Sequence, residues 1–304
     1  MQSDINDRLD ASFDEHRIIE QIHDVPPHVV YVVEVDGERA IYKADVGPTG
    51  SAAVEGRVMN WLSQQTDIPV PEVLACGDDH LVAAWHPKAP GDDADPADID
   101  WAEATGAGLA RMHEASTDLV EGYGVLEVRN GELTGDDHAD WFDGALAYIE
   151  RLQPVLERYG HGDMATAAIE LFEERPTAFE GAGKAVLCHG WATPEHVAVE
   201  NGSVACFIDF EHAIAAPGEF DIWRTCIPAF GPGETTTAEQ AFISSYESVR
   251  PLPDGADERK PYYQLLNLLY FFESLYVQEQ HDPETTEEKA HGFRSIVEQH
   301  IEEL

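Results

Sequence analysis

Basic residues are scarce in this chain: Lys and Arg number 18 against 59 Asp and Glu, a net charge of −41 over 304 residues. The few cations are not gathered into a basic stripe, which argues against a nucleic-acid-binding surface. The acids are spread along the whole chain. That fits a surface adapted to concentrated salt, where the screening length shrinks to about 3 Å at 1 M and self-repulsion is damped. Cysteine is scarce too. Cys76, Cys188, Cys206 and Cys226 form no CxxC pair, and Cys188 and Cys206 sit in apolar runs, so they read as small buried hydrophobes in a reducing compartment. No run approaches the ~20 apolar residues of a membrane-spanning helix. The opening MQSDINDRLD has neither a basic region nor an apolar stretch, so no secretory signal is expected and the expected location is the cytoplasm. No internal repeat is present.

What the chain does have is an ordinary hydrophobic fraction, 43%, and enough length for two lobes with a sizeable core. VVYVVEVDG is β-branched and ends in Asp36-Gly37, a strong hairpin signal, with RAIYKAD as partner strand. After it, Val54, Val58, Trp61 and Leu62 recur at helical spacing. IPVPEVLACGDDHLVAAWHP predicts two short strands around a Gly-Asp-Asp turn. PKAPGDDADPADID, rich in Pro, Asp and Gly, is the best boundary in the chain. Beyond it the pattern becomes helical. Trp101, Leu109 and Met112 share one side of a helix, and Pro154 is expected to bend or break the next one. Two short strands follow around 185–209, then the apolar helix YYQLLNLLYFFESLYVQEQ. The expected fold is α+β and bilobal: residues 1–86 as a small antiparallel-sheet lobe with one helix, residues 87–304 as a larger, mostly helical lobe.

Two residues carry chemistry in this pattern. Lys43 sits inside an apolar strand on the face of Ile41, and a lysine on a core-side face needs an anion. Glu55, on the following helix, is the nearest candidate, and such a pair can aim an ammonium at a nucleotide's phosphates. The other reading of Lys43 is an edge lysine that snorkels to water. Asp209 ends the run VACFID beside turn residues, where a carboxylate serves either as a Mg²⁺ ligand or as a turn cap.

The order of these features resembles the aminoglycoside phosphotransferase-like and choline-kinase-like small-molecule kinases, which have the protein-kinase-like fold. The resemblance runs from about Ile18 to the C-terminal helices and is most specific at HGWATPEHVAVENGSVACFIDFEHAIAAPGEFD. There His189, Gly190, Ile208, Asp209, Phe210 and Asp221 fit the family pattern, and His113 ends a helix similar to the family's post-hinge helix. The resemblance implies ATP and Mg²⁺, with Asp209 on the metal and Lys43 and Glu55 on the phosphates. It further implies a hinge at Leu81–His86, bringing Ala84 and Trp85 beside the adenine, and a bracing role for Asp221.

Three departures stand out. The family's catalytic Asp is Trp191, its second metal ligand Asn is His196, and the phosphate-covering stretch HDVPPHV has two prolines and no glycine. Loss of a general base costs typically ~10²–10⁴-fold, which leaves activity possible. Glu195 is the loop's replacement acceptor of a hydroxyl proton, His196 its replacement metal ligand, and His189 belongs to the same catalytic-type loop. The implied activity is an ATP- and Mg²⁺-dependent phosphotransferase acting on a small hydroxylated or amino-bearing molecule. The alternatives are a pseudokinase-type protein that binds nucleotide or ligand without transfer, and a binding protein with no nucleotide at all.

Overall fold

The Asp36-Gly37 step forms the expected tight turn, with both residues at positive φ (49° and 86°), joining β2 (His28–Val35) to β3 (Glu38–Asp45). The computed structural model describes residues 2–304 apart from 48, 90–94, 96, 118–119 and 232. Around this hairpin stands a five-stranded antiparallel sheet in the order β1-β2-β3-β5-β4, with β1 (His16–Val25), β4 (Val73–Cys76) and β5 (His80–Ala84). Strand alternation sorts β3 and β5 between two cores. Ala40, Tyr42, Ala44 and Val82 face one way, onto Ile5 and Leu9 of α1 (Gln2–Asp10). Leu81 and Ala83 face the other way, onto Val54, Val58 and Leu62 of α2 (Ala52–Gln65).

The rest is mostly helical: α3 (Ile99–Ser116), α4 (Trp141–Arg158), α5 (Gly162–Glu174), α6 (Gly218–Phe230), α7 (Thr237–Val249), α8 (Ala256–Val277) and α9 (Pro283–Glu303). Trp101, Leu109 and Met112 are buried together, as their spacing predicts. Part of the expected boundary, residues 90–94 and 96, lies outside the described residues. The two lobes share one apolar cluster, since α2 contributes to the same core as α3, α4 and α8.

Several expectations need correction. α4 passes through Pro154 unbroken. Pro154 and Glu150, whose carbonyl it deprives of a donor, are exposed, so water can take that carbonyl while buried Leu152 and Leu156 hold the helix on either side. β1, α1 and a second hairpin were not foreseen. That hairpin, β6 (Gly124–Arg129) and β7 (Glu132–Gly135), turns at Asn130-Gly131. It joins β8 (Ala185–Cys188) and β11 (Ile214–Pro217) in a sheet of order β7-β6-β11-β8. β9 (Val197–Glu200) and β10 (Ser203–Phe207) form a separate hairpin. β10 ends at Phe207, so Asp209 stands beyond the strand rather than at its tip.

Candidate active site

Lys43 lies on an inner strand, paired to Val30 on one side and Leu81 on the other, with its side chain on the α2 face. It is 7% exposed. Burial alone would favour the neutral amine, but three carboxylates surround it. Nζ donates to Asp209 Oδ1 at 2.6 Å and to Glu211 Oε2 at 2.5 Å. Glu55 Oε2 lies 2.8 Å away without hydrogen-bond alignment. Together they outweigh desolvation and hold the ammonium pKa well above the usual lysine value. Burial and the neighbouring Glu211 push Asp209 upward, but Lys43 and His196 win and keep its carboxyl well below the usual range. For Glu55, burial dominates and raises it. Asp209 takes a left-handed backbone, φ 67° and ψ 59°, before the single 3₁₀ turn Phe210–His212. A non-glycine residue held there marks a position the surroundings over-determine. The turn aims Asp209 and Glu211 at the same ammonium.

His212 Nε2 lies 3.2 Å from Glu211 Oε1, and two further histidines complete the cluster. His28, at the start of β2, contacts Asp45 Oδ1 through Nε2 (3.1 Å) and Glu211 Oε2 through Nδ1 (2.9 Å). His196 places Nδ1 3.1 Å from the Trp191 carbonyl and Nε2 3.0 Å from Asp209 Oδ2. Burial alone would discharge both rings. The adjacent carboxylates prevail and push each up to about 9. An unfolded histidine titrates near ~6.5. The imidazolium form therefore stabilises the fold fully below that pH, and this contribution is lost as pH rises through 9. The melting temperature is expected to fall between pH 7 and 9.5, and less steeply in His196→Asn; an equally steep fall in the variant, followed by calorimetry, would count against the assignment.

The catalytic-type loop leaves β8 at His189-Gly190. Asp221, on α6, accepts from both backbone N–H groups at 2.8 Å and from His113 Nε2 at 3.0 Å, so it braces the loop. His189 is fully buried; its Nε2 donates to the Ile208 carbonyl (2.9 Å) and its Nδ1 accepts from Trp191 N–H (3.3 Å). Burial lowers it to about 4, a neutral spacer between the loop and the segment that leads from β10 to Asp209. Gly190 has φ +81°, and a Cβ there would fall 2.1 Å from the His212 carbonyl oxygen, so only glycine fits.

Trp191, at the position where the resemblance implies a catalytic aspartate, does not line the open cavity. Its indole packs on His212, Tyr270 and Phe271, with ring centroids 5.6–5.9 Å away. Glu195 is exposed and does not line that cavity. Ala84 ends β5, its N–H donating to Glu72 O at 2.8 Å. Trp85 follows, 40% exposed, under the Arg39 guanidinium at 3.7 Å.

A cavity of about 550 Å³ opens beside the cluster, between the β1–β2 turn, α2, β6, α4 and α8. That turn is Pro26-Pro27, joined by a cis peptide bond. Glu211 and His28 look into the cavity from the cluster side, and Arg224 and Glu273 from the helical side. Sequence reasoning missed all four. Among the described residues, Glu55, Asp209 and Glu211 each bring a carboxylate oxygen within 4.8 Å of the others, an all-oxygen donor set of the kind Mg²⁺ takes. In this structure the three oxygens converge on the Lys43 ammonium.

The chain is similar in structure to a Thermobifida fusca protein assigned as a fructosamine-3-kinase, with a TM-score of 0.67 and 19% identity over 96% of this chain and 98% of that one. It is likewise similar to a thermostable mutant of aminoglycoside phosphotransferase APH(4)-Ia, solved with ADP and hygromycin B (0.67, 13%, 98% of each chain). A third likeness is to the macrolide 2'-phosphotransferase MphH of Brachybacterium faecium (0.59, 15%, 98% and 97%). These likenesses carry the protein-kinase-like fold. No curated protein matches the sequence. Residues 19–261 match the model of the phosphotransferase enzyme family, most of the chain and all of the cluster around Lys43, and the chain therefore belongs to that family.

Proposed function

We propose that the protein is an ATP- and Mg²⁺-dependent phosphotransferase acting on a small hydroxylated molecule, with an atypical catalytic loop and its lobes divided near residues 86–87. The observation that carries this reading is the 2.6 Å contact between Lys43 of the sheet lobe and Asp209 of the helical lobe. An ammonium and a carboxylate brought together from the two lobes are what a nucleotide's phosphates and their metal require. Structural relatives solved with ADP or AMP-PNP support the nucleotide.

In this reading Lys43 binds and orients the phosphates, and Glu55 holds the ammonium in place. Asp209 holds Mg²⁺, whose role when bound is to neutralise phosphate charge. His196 would be the second ligand only once metal binding displaces the Nε2 proton that Asp209 holds, with Nδ1–H on the Trp191 carbonyl fixing its ring. Ala84 and Trp85 border the adenine. His189 positions the loop rather than touching substrate. Glu195, open to solvent, would reach an acceptor hydroxyl only through water. Phosphoryl transfer is mostly positioning and charge neutralisation, so the chemistry survives a weak base at reduced rate.

ADP release should therefore depend on acceptor in a panel of hydroxylated metabolites with ATP and Mg²⁺ at high salt. Nucleotide binding with no acceptor-dependent release from any member would contradict transfer and leave a binding protein.

A further inference from the structure

Arg224, on α6, is 1% exposed and lines the large cavity. Nε donates to the Gly190 carbonyl at 3.1 Å and Nη1 reaches Asn267 Oδ1 at 3.5 Å. Both acceptors are neutral, and Nη2 has no acceptor among the described residues. The guanidinium lies 3.5 Å from the Tyr270 ring centroid, with Trp191 at 5.1 Å and Phe271 at 5.5 Å. These rings offset part of its desolvation, but none supplies a counter-charge. No described carboxylate comes within 4.0 Å of it. In a chain with 59 acids, a buried arginine without one is unexpected, because buried charges are normally paired.

Glu273, on α8, lines the same cavity. It is 8% exposed and makes no hydrogen bond or ion pair among the described residues. Burial raises its carboxyl to about 7 against the pull of Arg224 and Arg151. The two unpaired groups do not pair with each other. Arg151, the cavity's other arginine, is held by Glu127 at 3.1 Å.

We propose that Arg224 is the anchor for an anionic group on the acceptor, so that the molecule received here is a hydroxylated acid bearing a carboxylate or phosphate. A guanidinium with a free N–H edge is suited to such an oxyanion. The cavity volume suits a molecule of sugar size. That this molecule is phosphorylated rests on the proposed function; that it binds does not.

The test uses three probes with one six-carbon polyol skeleton: gluconate, sorbitol and 1-amino-1-deoxysorbitol, each titrated calorimetrically into the full chain. Gluconate should bind about tenfold or more tighter than sorbitol, as a charge-assisted hydrogen bond provides, and the amine weakest. Arg224→Gln should erase the preference and leave sorbitol unchanged. Should that variant fold poorly, Glu273→Gln removes only an opposing acid and should tighten gluconate several-fold at pH 8. Equal binding of the three, preference for the amine, or no gluconate binding by the wild type overturns the proposal. Gluconate binding without acceptor-dependent ADP release would instead sink the phosphotransferase reading and leave the anion site standing.

Discussion

Lys43→Ala is expected to abolish nucleotide binding and to destabilise the fold by on the order of 3–5 kcal/mol, the range seen when one partner of a buried ion pair is removed. The variant leaves Glu55, Asp209 and Glu211 facing one another with only His28, His196 and His212 beside them. Asp209 and Glu211 owe their low pKa values largely to Lys43. Without it they rise, so the wild type's advantage is present above the ordinary carboxylate range and shrinks as pH falls and the acids take up protons. Denaturant unfolding at pH 8 and pH 5 reads this directly. Equal stability of wild type and variant at pH 8 would mean that the ammonium does not balance this cluster.

Trp191→Asp is the second large effect, and it is a gain. If position 191 corresponds to the catalytic aspartate, as the proposed function has it, a carboxylate there should speed acceptor-dependent ADP release by about 10²-fold, the low end of what a positioned base contributes. Two costs come with it. The indole's packing on His212, Tyr270 and Phe271 is lost, and the new carboxylate stands beside Arg224. The fold should therefore weaken, and an anionic acceptor should bind less well as the rate rises. An unchanged or slower rate in a folded variant would show that the base is not what limits turnover.

How far the site could be read from sequence follows the physics of each residue. Lys43 was legible because an apolar strand seldom carries a lysine and this chain has few cations. Asp209 and Glu55 were legible through their placement relative to it. Glu211 and Asp45 were not, since in a chain so rich in acids a further carboxylate carries no signal. His28 and Arg224 act through partners distant in sequence, which no local pattern records. β1 was missed because bulges near residues 18–20 and 21–23 break its alternation and most of it is exposed. α1 offers only Ile5 and Leu9 as a buried stripe. The β6–β7 hairpin did have a signal, Asn130-Gly131, flanked by strands too short to show a period. What was read correctly was the pairing of turn chemistry with β-branched strands in the first lobe, the one-sided apolar spacing of α3 and the strongly apolar run of α8.

The most direct test is the Mg²⁺ dependence of AMP-PNP binding, measured calorimetrically at high salt in the wild type and in Asp209→Asn. If the cleft is a nucleotide site, the metal tightens AMP-PNP at least about tenfold in the wild type, and that increment disappears in the variant. Binding that ignores Mg²⁺ in the wild type, or that keeps its full increment without the Asp209 carboxylate, would contradict the account.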